Sequence, residues 1–126
     1  MSKNLCEIST PALAYLGDCV LELCVRRYLV ESGISSSKRL NQQALDFVRA
    51  PMQAAAVERI LPLLCEDEMS YFHRGRNIGH TNTPKHATVS EYRSATGMEV
   101  LFGYLDLCGR QERIAELFRE AFLIKD

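Results

Sequence analysis

Hydrophobic residues recur three and four positions apart along almost the whole of this chain, the spacing of helices that bury one face. Ser9-Thr10-Pro11 opens the first run, with a hydroxyl able to cap a helix and a proline where its missing N–H costs little. The run passes through Leu13, Leu16, Val20, Leu23, Cys24 and Tyr28 and stops near Ser32-Gly33. Ser36 or Ser37 caps a second helix that carries Leu40, Ala44, Leu45, Phe47 and Val48. Pro51 ends it and opens a third, which continues through Ala55 to about Leu64, with Pro62 trimming its end. Glu66-Asp67-Glu68 supply the acidic first turn of a fourth helix, where the helix dipole favours them, and that helix ends around Gly75. Residues 77–87 hold Gly79, Pro84 and short polar side chains and read as the longest loop. Thr88-x-x-Glu91 is a capping-box pattern opening a long helix to Leu107, closed at Gly109. Ile114, Leu117, Phe118, Ala121 and Phe122 mark the apolar stripe of the last helix. Nothing alternates with period two over a useful length, so the expected fold is all-α, one domain over residues 1–126.

Composition narrows the class without naming a function. Hydrophobic residues make up 47% and charged residues 25%, enough to build a core without staples. No apolar run approaches the roughly 20 residues that span a bilayer, and the first residues lack the apolar stretch of a secretion signal. Five cysteines, an odd number with no C-x-x-C pair, argue against a disulfide framework or a zinc ribbon. Cys19, Cys24 and Cys108 lie in apolar stretches and are expected in the core. A cytoplasmic protein is the expectation.

The net charge of −1 speaks against a globally basic nucleic-acid binder, but the charge is unevenly spread. Between His73 and Arg93 stand four Lys/Arg (Arg74, Arg76, Lys85, Arg93), one acid (Glu91) and all three histidines (His73, His80, His86). The remainder of the chain is net acidic. Arg74-Gly75-Arg76-Asn77 combines guanidinium forks with a glycine that lets backbone N–H groups approach an oxyanion, as phosphate binding requires. An ordinary solvated loop is the alternative.

Two acids occupy unexpected places. Asp18 lies mid-helix among Ala14, Tyr15, Leu21 and Glu22, and Glu99 lies inside Gly97-Met98-Glu99-Val100-Leu101-Phe102-Gly103, the most apolar part of the long helix. A carboxylate on a core-facing stripe costs several kcal/mol unless it is paired or binds a cation. Each is flanked by helical glycine (Gly17; Gly97 and Gly103), which costs about 1 kcal/mol per residue against alanine and suggests that two helices approach closely. Either both acids point to solvent from a polar edge, or they face one another as a divalent-cation site, since Mg²⁺ often takes only one or two carboxylates.

These pieces, taken in order, resemble a family. Leu13-Ala14-Tyr15-Leu16-Gly17-Asp18-Cys19-Val20-Leu21 is similar to the signature helix of ribonuclease III catalytic domains, and Ala95-Thr96-Gly97-Met98-Glu99-Val100-Leu101-Phe102-Gly103-Tyr104-Leu105 to their second acidic helix. Arg74-Gly75-Arg76-Asn77 and Pro84-Lys85 bring the resemblance closest to the short Mini-ribonuclease III branch, a catalytic domain without a double-stranded-RNA-binding domain. It spans roughly residues 12 to 118.

The resemblance implies a helical bundle forming a two-fold homodimer and metal-dependent endonucleolytic hydrolysis of double-stranded RNA, with Mg²⁺ as cofactor and Mn²⁺ able to substitute. Asp18 and Glu99 match the metal-ligand acids, and Tyr15 matches an aromatic at the dimer seam. Arg74, Arg76, Asn77, His80, Lys85, His86 and Arg93 are expected against the RNA. Glu22, one turn after Asp18, is a candidate for orienting water beside the ion. The implied substrate is precursor large-subunit ribosomal RNA, with room for a ribosomal protein that presents it. At the positions where longer family members carry further acids stand Pro11, Ala14 and Thr96, so fewer carboxylates are expected here. A catalytically idle RNA-binding dimer, an all-α nucleotide phosphohydrolase and a helical adaptor remain the competing readings.

Overall fold

The computed structural model describes residues 7–78 and 88–124. Among these residues six α-helices follow one another: α1 (Thr10–Glu31), α2 (Ser37–Val48), α3 (Ala50–Ile60), α4 (Glu66–Arg76), α5 (Val89–Leu107) and α6 (Gln111–Phe118). A 3-10 turn at Leu61–Leu63 follows α3, and a π-helical turn at Arg119–Leu123 follows α6. The boundaries come from local chemistry. Ser9 Oγ accepts from Ala12 N at 3.2 Å and Ser36 Oγ from Arg39 N at 3.1 Å, each satisfying a backbone donor left open by the helix start. Thr88 and Glu91 form the reciprocal capping box, with both bonds at 3.0 Å. Gly33 and Gly109 stop α1 and α5 at φ of 90° and 73°, which side-chain-bearing residues rarely adopt.

Helix α5 is the axis of the fold. Met98, Val100, Leu101, Phe102 and Leu105 are wholly buried although they project in different directions around it, which requires neighbours on every side. α1 contributes Leu13, Val25 and Leu29, α3 contributes Ala56, Val57 and Ile60, α4 contributes Phe72, and α6 contributes Ile114, Leu117 and Phe118. Each large side chain so buried is worth about 1.5–3 kcal/mol. α2 has no buried residue. It lies along the outside, and Phe47 anchors it against the rings of Tyr28, Phe118 and Phe122 at 5.7–6.2 Å between centroids.

Three features depart from the expectations above. Glu68 does more than answer the dipole of α4: it is 1% exposed and takes a two-pronged bond from Arg113, both distances 2.8 Å, joining α4 to α6. The remaining Arg113 donors reach Leu63 O at 2.8 Å and Glu116 at 2.7 Å, so the buried charges are satisfied. The last helix widens after Phe118, where Arg59 donates to Ala121 O at 2.9 Å and Ile124 N reaches back to Arg119 O at 3.2 Å. Cys19 is exposed, not a core residue, whereas Cys24 and Cys108 pack against the core as expected.

Candidate active site

The site starts from a helix crossing. A Cβ on Gly17 would strike the backbone of Glu99, and one on Gly103 would strike the backbone carbonyl of Leu13. α1 and α5 therefore touch backbone to backbone, a separation that only glycine permits. Gly97 makes its close approach to Phe72 on α4 instead, so it sets a different helix pair. Because the crossing places Gly17 on Glu99, the next residue of α1, Asp18, emerges beside the Glu99 side chain.

The two carboxyls lie within hydrogen-bonding reach. Asp18 is exposed and Glu99 is half-buried, so only Glu99 fits the core-facing reading; Asp18 stands at the rim. Burial, reinforced by the Asp18 charge and the bond between them, pushes Glu99 up to about 8. A neutral carboxylic acid at physiological pH is what two acids sharing one place become when no cation is there to hold both charges. The donors are hard oxygens, suited to Mg²⁺ or Mn²⁺ and poorly suited to softer ions. Among the described residues no group of three or more His, Cys, Asp or Glu surrounds a common point, so the protein offers these two carboxylates and leaves other ligand positions open. Thr96, where longer family members would place another acid, donates its hydroxyl to Tyr92 O at 3.0 Å.

The pair lines a cleft of about 760 Å³ between α1, α5 and the α2–α3 junction. Its other walls include Glu22, Val48, Arg49, Pro51, Gln53, Tyr92 and Phe122. Glu22 is exposed and accepts from Arg26 at 2.9 Å, an i, i+4 surface pair. Arg49 and Gln53 escaped the sequence reading, because what brings them to the acids is the chain reversal between α2 and α3.

With this geometry in view, comparison with known proteins decides the family. The Ribonuclease III domain pattern matches residues 11–110. A Mini-ribonuclease 3 from Desulfitobacterium hafniense is 44% identical over 122 residues, covering 95% of this chain and 76% of the relative. Another from Brevibacillus brevis is 40% identical over 112 residues, covering 89% and 84%. A crystal structure of a Fusobacterium nucleatum protein superposes with a TM-score of 0.83 at 30% identity, covering 94% of each chain.

The chain belongs to the ribonuclease III family, on its Mini-ribonuclease 3 branch. As a ribonuclease III-family endoribonuclease it carries the six-helix domain expected from its sequence.

Of the other expected site residues, Tyr15, Arg74, Arg76, Asn77 and Arg93 do not line the cleft. Arg74 is half-buried: Nε and Nη2 donate to Thr10 Oγ1 at 3.2 and 3.0 Å, Nη2 also to Ile8 O at 3.2 Å, and the guanidinium lies 4.9 Å above the Tyr71 ring. It ties α4 to the start of α1. Arg76 is half-buried and Asn77 exposed at the end of α4, and Arg93 is exposed on the second turn of α5. Among the described residues neither arginine makes an ion pair. His80, Lys85 and His86 lie outside the described residues. Tyr15 is 86% exposed on α1, and among the described residues no helix is long and apolar enough to cross a membrane.

Proposed function

We propose that this protein cleaves both strands of RNA duplexes, with Asp18 and Glu99 holding a divalent cation at the cutting site. The observation that carries the reading is the meeting of these two carboxyls, 81 positions apart in the chain, in one cleft. When bound, Mg²⁺ or Mn²⁺ supplies charge stabilisation at the attacked phosphate and makes water a nucleophile near neutral pH. Asp18 presents its carboxylate from the open rim. Glu99, held in a drier place, gives up its proton to become the second ligand. Glu22 borders the same cleft one turn along α1, placed to orient water beside the ion.

RNA contacts are assigned to the end of α4 and the segment after it. Arg76, Asn77 and Arg93 are free to meet backbone phosphates, and the RNA-contact role expected of His80, Lys85 and His86 is part of the same proposal. Arg74 takes a smaller share, since its donors are largely committed to Thr10 and Ile8. Phosphate contacts position a duplex without reading its sequence, and A-form RNA is recognised chiefly by shape. A second copy of the chain would supply the second cut: Tyr15, Leu23 and Val30 are exposed along one side of α1, an apolar stripe suited to a two-fold partner. Precursor large-subunit ribosomal RNA is the proposed natural substrate, either alone or presented by a ribosomal protein.

The test is digestion of a perfectly paired RNA duplex with Mg²⁺, with Mn²⁺ and with chelator, beside Asp18→Asn and Glu99→Gln. Cleavage in either metal, lost in chelator and in both variants, is expected. Cleavage that persists in chelator or in both variants overturns the assignment.

A further inference from the structure

The cleft that holds the acid pair has an unassigned cation in its wall. Among the described residues its lining contains three acids, Asp18, Glu22 and Glu99, and a single basic side chain, Arg49. Arg49 joins two helices: its N–H closes α2 on Leu45 O at 3.3 Å, and its carbonyl opens α3 by accepting from Gln53 N at 3.0 Å. Those bonds use only its backbone. Among the described residues its guanidinium makes no ion pair or hydrogen bond, in contrast to Arg26, Arg59, Arg74 and Arg113, each of which has a protein partner.

Electrostatic balance gives this side chain a task. Two ionised carboxylates and one divalent cation sum to zero charge, so the long-range attraction on an incoming phosphodiester is small even though the ion's open positions bind its oxygens at contact, and Glu22 adds repulsion that Arg26 only partly offsets. A protein cation in the cleft would add the longer-range attraction that brings the phosphate in. Resting on the reading above, we infer that Arg49 is the substrate-phosphate clamp of the cutting site, its guanidinium fork taking a non-bridging oxygen of the phosphodiester held in the cleft it shares with Asp18 and Glu99. Its location at a fixed helix–helix junction keeps the side chain's root in place, and a guanidinium fork matches phosphate oxygens. The residue thus belongs with the reacting phosphate, separate from the strip at the end of α4 that would hold more distant parts of the duplex.

The test uses the full chain, a perfectly paired RNA duplex and Mg²⁺, with Arg49→Gln and Arg49→Lys beside the unaltered protein and Arg76→Gln. Binding is measured in a Glu99→Gln background, and folding by thermal melting. Because the Arg49 side chain has no protein partner, both variants should melt like the parent. Arg49→Gln is expected to lose about 10–100-fold in kcat/KM, the scale of one charge-assisted hydrogen bond. Arg49→Lys should recover part of that loss, because it keeps the charge without the fork. Loss of one phosphate contact should lower the slope of log binding constant against log salt by about 0.9. Unchanged kcat/KM in a folded Arg49→Gln, or a loss no greater than that of Arg76→Gln with full recovery in Arg49→Lys, overturns the clamp while leaving the cutting site intact. A parent protein that does not cleave with either metal defeats the underlying reading instead.

Discussion

Replacing Glu99 by glutamine should stabilise the metal-free protein while it removes activity. The carboxyl of Glu99 is raised to about 8 from its ordinary 4.5, first by burial and then by Asp18. Between those two pH values the folded protein holds a proton that the unfolded chain has released. Stability contributed by this group is therefore complete below about pH 4.5 and is lost as pH rises through 8. One pH unit of that window is worth about 1.4 kcal/mol, so by pH 7 the site costs on the order of 3 kcal/mol relative to a residue that never ionises. Water at the Asp18 side reduces this to about 2 kcal/mol. Glutamine has the shape of the protonated acid and can still bond to Asp18. A gain of about 2 kcal/mol corresponds to a melting point higher by roughly 6–8 °C for a chain of this size. The assay is thermal melting in chelator at fixed protein concentration from pH 5 to pH 8, for the parent and for Glu99→Gln. The two should converge near pH 5 and separate steadily toward pH 8. Parallel curves, or a variant that melts lower at pH 8, would refute the reasoning.

Other consequences follow from the packing. Gly17→Ala drives a methyl group into the Glu99 backbone and should cost about 2–4 kcal/mol in urea unfolding, together with cleavage, because the crossing that pairs the acids must open. A Gly17→Ala protein with parental stability would contradict the crossing. Glu68→Gln leaves Arg113 without its buried counter-charge and should cost about 3 kcal/mol by the same measurement. Arg113 holds Glu68 below the usual carboxylate range, so this contribution is present above that range and disappears as acid titrates Glu68; the variant should lose the corresponding acid-side transition. Arg74→Gln and Arg76→Gln should differ: the first lowers the melting point by loosening the start of α1, and the second mainly flattens the salt dependence of RNA binding. Equal effects on both readouts would show that the two arginines share one role.

The helix plan was legible because its signals are local. Ser9, Ser36 and Thr88 cap through bonds to residues three positions on, and Gly33 and Gly109 stop helices through their own backbone angles. The acid pair was half legible. Gly17 and Gly103 announced a close crossing and did mark it, whereas the sequence left the exposure of Asp18 open, because a crossing buries one side of the helix and leaves its rim open. Gly97 gave the same signal but answers to Phe72 on α4. Long-range pairs left no such trace. Glu68 and Arg113 stand 45 positions apart, and Glu68 alone reads as a first-turn acid with nothing in the pattern that links it to Arg113. Arg49 reaches the cleft only because α2 turns directly into α3, a path that periodicity does not encode. The π-helical turn after Phe118 likewise depends on Arg59, 62 positions from the carbonyl it takes.

The central claim is that Asp18 and Glu99 share one divalent cation, and proton release on Mg²⁺ binding tests it most directly. A ligand must be deprotonated to bind the ion. With Glu99 at about 8, nearly one proton, about 0.9 per site, should leave at pH 7, falling to about 0.1 at pH 9. Calorimetric titration with Mg²⁺ in two buffers of different ionisation enthalpy gives that number. Release of about 0.9 at pH 7, abolished together with tight binding in Glu99→Gln and in Asp18→Asn, is the expected result. Mg²⁺ binding that releases no proton at pH 7, or that survives unchanged in both variants, would contradict it.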